Sequence, residues 1–213
     1  MRIDIWSDVV CPWCFVGRRR LQAAVARLGI EDEVEIVHRS FELDPGAPSE
    51  GRVDLATHLA RKYGVPTEQA LGMLDRMIAV GADAGIEFRF DIAQRANTFD
   101  AHRLVKLAER EGLADAMVER LMQAYFTEGE AVADHATLAR LAAEVGLDHA
   151  EVSEALASES FGPEVRADER DARELGVTGV PFFLIDGAAG IPGAQDVDTM
   201  VRILERVRAR AAS

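Results

Sequence analysis

The order of periodic segments predicts an α/β fold: strand, helix, strand, a long helical block, two strands and a closing helix. Three observations carry it. Polar and apolar residues alternate over residues 2–6 and again over 33–37, an Asp186-Gly187 pair separates two short apolar runs near the C-terminal end, and helical spacing dominates the chain between them. A βαβ half and a ββα half are thus separated by an inserted bundle of helices. Residues 1–44 and 177–213 are expected to form one discontinuous domain, and residues 45–176 the helical insertion with its connecting helix.

Arg2-Ile3-Asp4-Ile5-Trp6 alternates as a half-buried strand does, and Val9-Val10 carries it to its end. Cys11-Pro12-Trp13-Cys14 follows directly, with Leu21, Val25 and Leu28 at helical spacing behind it. Cys11 therefore falls at a helix start, where unpaired N–H groups and the positive end of the macrodipole favour a thiolate. Pro12 suits the first helical position, since its fixed φ is already helical and its missing N–H would have had no intrahelical partner. Cys14 shares a helix face with Cys11 and can attack a sulfur that Cys11 has engaged. In this reading the Cys11 sulfur is exposed and Cys14 is more buried, and Trp13 leaves part of its ring exposed as an apolar contact for a substrate.

Glu33-Val34-Glu35-Ile36-Val37 is the second strand, and Asp44-Pro45-Gly46-Ala47-Pro48 then breaks regular structure. From there to about residue 176 the pattern is almost wholly helical. Met117, Val118, Leu121, Met122 and Tyr125 lie on one face of a single helix and read as core. Asp134 can cap the helix holding Leu138, Leu141 and Val145, Gly146 suits its end, and Asp148 with Glu151 has capping-box spacing. After Gly176-Val177-Thr178-Gly179, Pro181-Phe182-Phe183-Leu184-Ile185 is a strand, paired through the Asp186-Gly187 turn with one reaching about Ile191. Val197, Met200, Val201, Leu204 and Val207 mark the inner side of the last helix.

The chemistry rests on the two cysteines of this 213-residue chain. A zinc site needs a second ligand pair, and His38, His58, His102, His135 and His149 are scattered singly, so no metal is expected. A structural disulfide closing so short a loop would constrain the unfolded chain little. A reversible dithiol/disulfide centre is favoured over these and over a pair of inert thiols, since a CxxC at a strand-to-helix junction near a βαβ pattern is a strong redox signal. With 48% hydrophobic residues the chain can bury a full core unaided. A formal charge of −13 argues against a nucleic-acid partner. No run approaches the ~20 apolar residues of a membrane span, and the N-terminal stretch lacks the apolar region of a signal peptide. The expected location is the cytoplasm, where paired cysteines are more often catalytic or redox-sensing than structural.

Strand, CxxC, helix, helical insertion and then Gly179-Val180-Pro181 ahead of a hairpin resembles the DsbA branch of the thioredoxin superfamily. Within it the chain is similar, over essentially its whole length, to the FrnE-like subfamily of cytoplasmic DsbA-type oxidoreductases. The matching stretches are residues 7–14 (SDVVCPWC), 40–45 (SFELDP), 97–104 (NTFDAHRL), 125–129 (YFTEG) and 193–195 (GAQ). The resemblance implies a thioredoxin-like fold with a large α-helical insertion, dithiol/disulfide exchange with thiol- or disulfide-containing proteins or peptides, and no bound metal or organic cofactor. Glutathione is a possible redox partner, and a small molecule a possible alternative to a protein or peptide. The same resemblance makes Cys11, Cys14 and Pro181 catalytic, with Pro181 cis and facing the sulfurs. Pro12, Trp13 and Val180 would then contact substrate, the Val180 backbone pairing with an extended peptide. The central dipeptide is Pro-Trp, where periplasmic DsbA has Pro-His and thioredoxin Gly-Pro, so strong oxidant character is not implied.

Asn97 and Thr98, followed by Asp100 and His102, have two readings. One is a helix cap. The other follows from kappa-class glutathione transferases and chromene-carboxylate isomerases, which share the insertion and bind glutathione near this segment. Those relatives use serine where this chain has Cys11, so retention of both cysteines favours disulfide exchange over isomerase or transferase chemistry. A third reading is a binding protein or chaperone that uses the groove around Trp13 and Val180 while the dithiol senses oxidation. Asp8 and Trp6 either tune the site or, for Trp6 above all, belong to the core.

Overall fold

A computed structural model describes residues 1–49, 54–94 and 96–211. Its sheet has four strands, β1 (Arg2–Ser7), β2 (Glu35–Ser40), β3 (Phe182–Ile185) and β4 (Ala189–Pro192), in the order β2-β1-β3-β4. β2 runs parallel to β1 with Ile5 opposite His38, and β3 runs antiparallel to it with Ile5 opposite Phe183. β4 closes the hairpin, Phe183 lying opposite Ile191. Asp186 and Gly187 both take the positive φ that a tight hairpin turn needs. The fold is that of an α/β protein with a mixed sheet.

Helix α1 (Pro12–Leu28) links β1 to β2 and ends on Gly29, whose φ of 62° is left-handed. Together with α9 (Val197–Ala211) it covers one face of the sheet: Leu21, Ala24 and Val25 of α1 and Met200 and Leu204 of α9 enclose Ile3, Ile5, Phe183, Ile185 and Ile191. The other face is covered as well. Trp6 packs there on Ala172 and Val177 and donates its indole N–H to the Asp168 carbonyl at 2.9 Å, so Trp6 is core. β1 is therefore buried on both sides, against the expectation of a half-buried strand. Asp4 can be buried because Arg2 and Arg39 each bind its carboxylate, and a polar letter in an alternating pattern does not show such pairing.

Two boundaries move. β1 stops at Ser7, because the Cys11 N–H turns back onto the Asp8 carbonyl at 3.1 Å and Val9-Val10 lies in that turn rather than in the strand. The second strand starts at Glu35, two residues late. Residues Glu31–Glu33 form a single 3₁₀ turn, and pairing begins where the Glu35 N–H reaches the Met1 carbonyl at 2.9 Å.

The insertion comprises α2 (Leu55–Tyr63), α3 (Thr67–Asp83), α4 (Phe99–Arg110), α5 (Ala114–Gln123), α6 (His135–Glu144), α7 (His149–Ala157) and α8 (Gly162–Glu174). Among the described residues between α3 and α4 none is helical. That segment carries Phe88 and Phe90 into an aromatic cluster with Phe126, whose ring lies 5.0 Å from Phe88 and 6.2 Å from Phe15 of α1. α5 runs into a π-helical turn, Ala124–Glu128, that stops at Gly129 with φ 69°. A Cβ there would lie 2.9 Å from Ile92. The stripe Met117, Val118, Leu121, Met122 and Tyr125 is buried throughout. Asp134 caps α6 through the Thr137 N–H at 2.7 Å, and Asp148 caps α7 through Ala150 and Glu151 N–H groups. The capping box is only half made, since the Glu151 carboxylate turns to Arg110 at 3.9 Å.

Candidate active site

Cys11 is the N-cap of α1 and Pro12 its first residue, so the dithiol sits where backbone N–H groups of the first turn converge. The Cys11 Sγ accepts the Cys14 N–H at 3.3 Å. From the other side it lies 3.7 Å from the Val180 carbonyl, to which the thiol can donate. The Val180–Pro181 peptide bond is cis. Residues 169 positions apart in sequence thus meet at one sulfur. Close approach of the Pro181 loop to α1 depends on Gly17: a Cβ at that position would lie 3.0 Å from the Pro181 ring and 3.2 Å from Phe183.

Both cysteines are free thiols and both are buried, Cys11 at 4% and Cys14 at 2% exposure. The expected exposed Cys11 sulfur is thus not found. Val10, Val180 and Ala194 pack against the apolar cluster to which both cysteines belong. Burial pushes the Cys14 thiol well above its ordinary value, and the adjacent Cys11 sulfur adds to this. Trp13, between them, is 44% exposed and forms an apolar rim.

Residues 2–205 match the DSBA-like thioredoxin domain family. The chain belongs to that family. A probable DsbA oxidoreductase from Streptomyces coelicolor is 41% identical and superposes with a TM-score of 0.93, over 98% of this chain and 90% of its own. A 2-hydroxychromene-2-carboxylate isomerase (TM-score 0.71, 18% identity, 100% and 98% of the two chains) shares the fold. So does the cytosolic disulfide reductase DsbM from Pseudomonas aeruginosa (TM-score 0.70, 22% identity, 98% and 100%), a protein also solved with GSH. At such identities the last two establish architecture alone.

In this DsbA-like chain Pro12, Trp13, Val180 and Pro181 gather around the cysteines, whereas Asn97 and Thr98 make no hydrogen bond to either sulfur among the described residues. Asn97 donates to the Pro45 carbonyl at 3.1 Å and accepts the Phe99 N–H at 3.0 Å, which ties the loop after β2 to the start of α4. The side-chain cap is Asn97, not Thr98, which is buried and caps nothing through its hydroxyl. His102, one turn on, reaches Asp8: Nε2 and Oδ1 are 3.3 Å apart. Asp100 instead pairs with Arg103 and His135 on the surface side.

Sequence reading missed Gly17 and Glu42. Glycine inside a helix costs about 1 kcal/mol relative to alanine, so Gly17 was a signal of close approach. Glu42 stands in a stretch that carries the family resemblance, but nothing local marks its carboxylate as buried: it is balanced by Arg166, which lies on α8 and is remote in sequence. No three His, Cys, Asp or Glu side chains gather as a metal site among the described residues. No described helix is long and apolar enough to cross a membrane.

Proposed function

We propose that this protein is a cytoplasmic thiol–disulfide oxidoreductase of the FrnE-like kind, exchanging disulfides with protein or peptide substrates through Cys11 and Cys14. The observation that carries the reading is the meeting of the Cys11 sulfur with the Val180 carbonyl. It sets the attacking atom beside backbone with which an extended substrate segment can pair, next to the apolar rim of Trp13. The thioredoxin-like domain, residues 1–44 and 177–213, supplies the cysteines, Pro12, Trp13, Val180 and Pro181. The insertion, residues 45–176, backs them.

Cys11 attacks a substrate disulfide and expels one substrate thiolate, leaving a mixed disulfide. Cys14 then attacks the Cys11 sulfur, the second substrate thiolate leaves, and the enzyme holds the Cys11–Cys14 disulfide while the substrate has gained two electrons. Run backwards, the same steps oxidise a dithiol, and ambient redox poise sets the direction. Neither step calls on a metal or organic cofactor, and glutathione serves as the recycling thiol. Support for glutathione comes from the DsbM neighbour solved with GSH.

Insulin reduction and disulfide isomerisation test the reading. Turnover is expected from the wild type, unaffected by chelators and abolished in Cys11→Ser, while Cys14→Ser accumulates mixed disulfides. Full turnover by Cys11→Ser would overturn it. High-affinity glutathione binding with turnover of a small molecule, and none of a disulfide, would transfer the protein to the isomerase reading. Peptide binding without either turnover would make it a redox-sensing binding protein.

A further inference from the structure

Helix α3 is apolar on two sides. Ala70, Met77 and Gly81 are buried on the inner one, whereas Leu71 and Ile78 stand 50% and 41% exposed, with Leu74 between them at the i, i+3, i+7 spacing of a single face. This second stripe lines a groove of about 420 Å³ together with Leu55 of α2 and the rings of Phe88 and Phe90. Large apolar side chains left in water along a groove mark a contact surface. The groove is joined to the dithiol helix through its rings: Phe88 stacks on Phe90 at 5.1 Å and meets Phe15 edge-on at 6.3 Å, and Phe15 directly follows Cys14.

The charged lining of the groove has one sign. Asp54, Asp75 and Asp91 border it, and no Lys or Arg does so among the described residues. Hydrogen bonds from Thr57 to Asp54 and from Arg89 to Asp91 hold both carboxyls below their ordinary value, so both are ionised at neutral pH. Arg89 pairs with Asp91 at 3.1 Å, yet the border stays net negative. That sign selects the occupant. Two copies of this chain joined symmetrically through the groove would set the same carboxylates against one another, and an anionic lipid surface or a nucleic acid would be repelled as well. A polypeptide segment with apolar side chains between lysines or arginines matches both the stripe and its border.

We propose that the groove between α2 and α3 is a second docking site for the exchange substrate, holding an apolar segment flanked by Lys or Arg while a cysteine of the same chain reacts at Cys11. The inference rests on the exchange reading and adds a substrate class to it: basic polypeptides that carry apolar side chains at a distance from the reacting cysteine. Once the groove is engaged, the encounter at Cys11 takes place within a complex, and the effective concentration of the reacting sulfur rises without a new contact at the dithiol. Oxidised glutathione, small and anionic, has no such segment and gains nothing from the groove.

Two disulfide peptides with the same sequence around the cysteine test it on the full-length protein, one short and one extended through a flexible linker by an apolar segment rich in lysine. The quantity read is kcat/KM of the extended peptide divided by that of the short one, with glutathione as reductant. In the wild type it should be about tenfold, carried by KM, and should shrink as salt is added. Leu71→Ser combined with Ile78→Ser should bring the ratio close to one. Asp75→Lys should lower it and raise the ratio for a peptide with glutamate in place of lysine, a reversal that a merely structural role would not produce. A wild-type ratio of one, or a ratio that neither variant moves, overturns the proposal. So does a wild-type dimer that the double serine variant converts to monomer, since a second copy would then cover the face. Should the double variant not fold, Asp75→Lys and the salt dependence decide. Turnover of neither peptide overturns the exchange reading; the groove then stands or falls on binding of the extended peptide with serine in place of cysteine, read by fluorescence anisotropy, which Asp75→Lys should weaken.

Discussion

The two faces of β1 are both covered, and by different physics. On one, Ile3 and Ile5 meet the apolar sides of α1 and α9. On the other, Asp4 and Trp6 meet a lattice of charges: Asp168 of α8 accepts from Arg39 at 2.9 Å and from Lys106 of α4 at 2.7 Å, and also takes the Ser40 N–H at 2.9 Å. Lys106 further donates to the His38 carbonyl at 3.0 Å. The apolar face is non-directional, so each side chain contributes in proportion to the area it buries. Charged groups on the polar face are tolerable only while every partner is present. That face is where the helical insertion is bolted to the sheet, and it leads through the loop after β2 to Glu42 and the dithiol.

The largest expected effect lies on the polar face. Asp168→Ala strips Arg39 and Lys106 of a shared partner and should cost about 3–5 kcal/mol in denaturant unfolding. Replacing Asp168 and Lys106 together, Asp168→Leu with Lys106→Met, should recover the part of that loss due to the orphaned Lys106 charge, Arg39 keeping Asp4 as its partner. If the double variant is no better than the single one, the polar face holds by net attraction and the contrast fails.

On the apolar face, Leu204→Ala should cost about 3 kcal/mol through lost transfer energy and a cavity, with no single second substitution expected to restore it. A loss exceeding that of Asp168→Ala would reverse the ranking.

The smallest effect separates the faces by pH. Burial pushes the Asp4 carboxyl up, but hydrogen bonds and charge from Arg2 and Arg39 outweigh it and hold the group below its ordinary value. A carboxyl depressed in the fold adds stability above its unfolded pKa of about 3.9, and that stability is lost as pH falls through the folded value. Asp4→Asn should therefore cost about 1 kcal/mol at neutral pH, Arg2 being half in water. The gap to wild type should close under acid, whereas the Leu204→Ala offset stays constant with pH. Parallel stability curves for Asp4→Asn and wild type would show that the pairs on this face contribute nothing.

Legibility follows the same division. The caps Asp134 and Asp148, the Asp186-Gly187 turn, the stripe from Met117 to Tyr125 and the helix start at Cys11 were all readable, because each depends on residues within four or five positions. Strand alternation, equally local, identified β1 but not its second covered face: Asp4 looks solvated until Arg39 is brought beside it. At the site, CxxC itself was plain, while the place of Pro181 was legible only through resemblance to a family.

The sequence by itself determined the order of strands and helices, the caps at Asp134 and Asp148, the Asp186-Gly187 turn and that two thiols stand at a helix start, since periodicity, capping and spacing act over one or two turns. Only the tertiary structure decided that the Val180 carbonyl meets Cys11, that Gly17 gives the Pro181 loop room, that both thiols are closed off from water, and that Asp8 faces His102. Those arrangements join segments far apart in the chain, and what selects them is the burial of shared surface and the pairing of charges that no local pattern encodes.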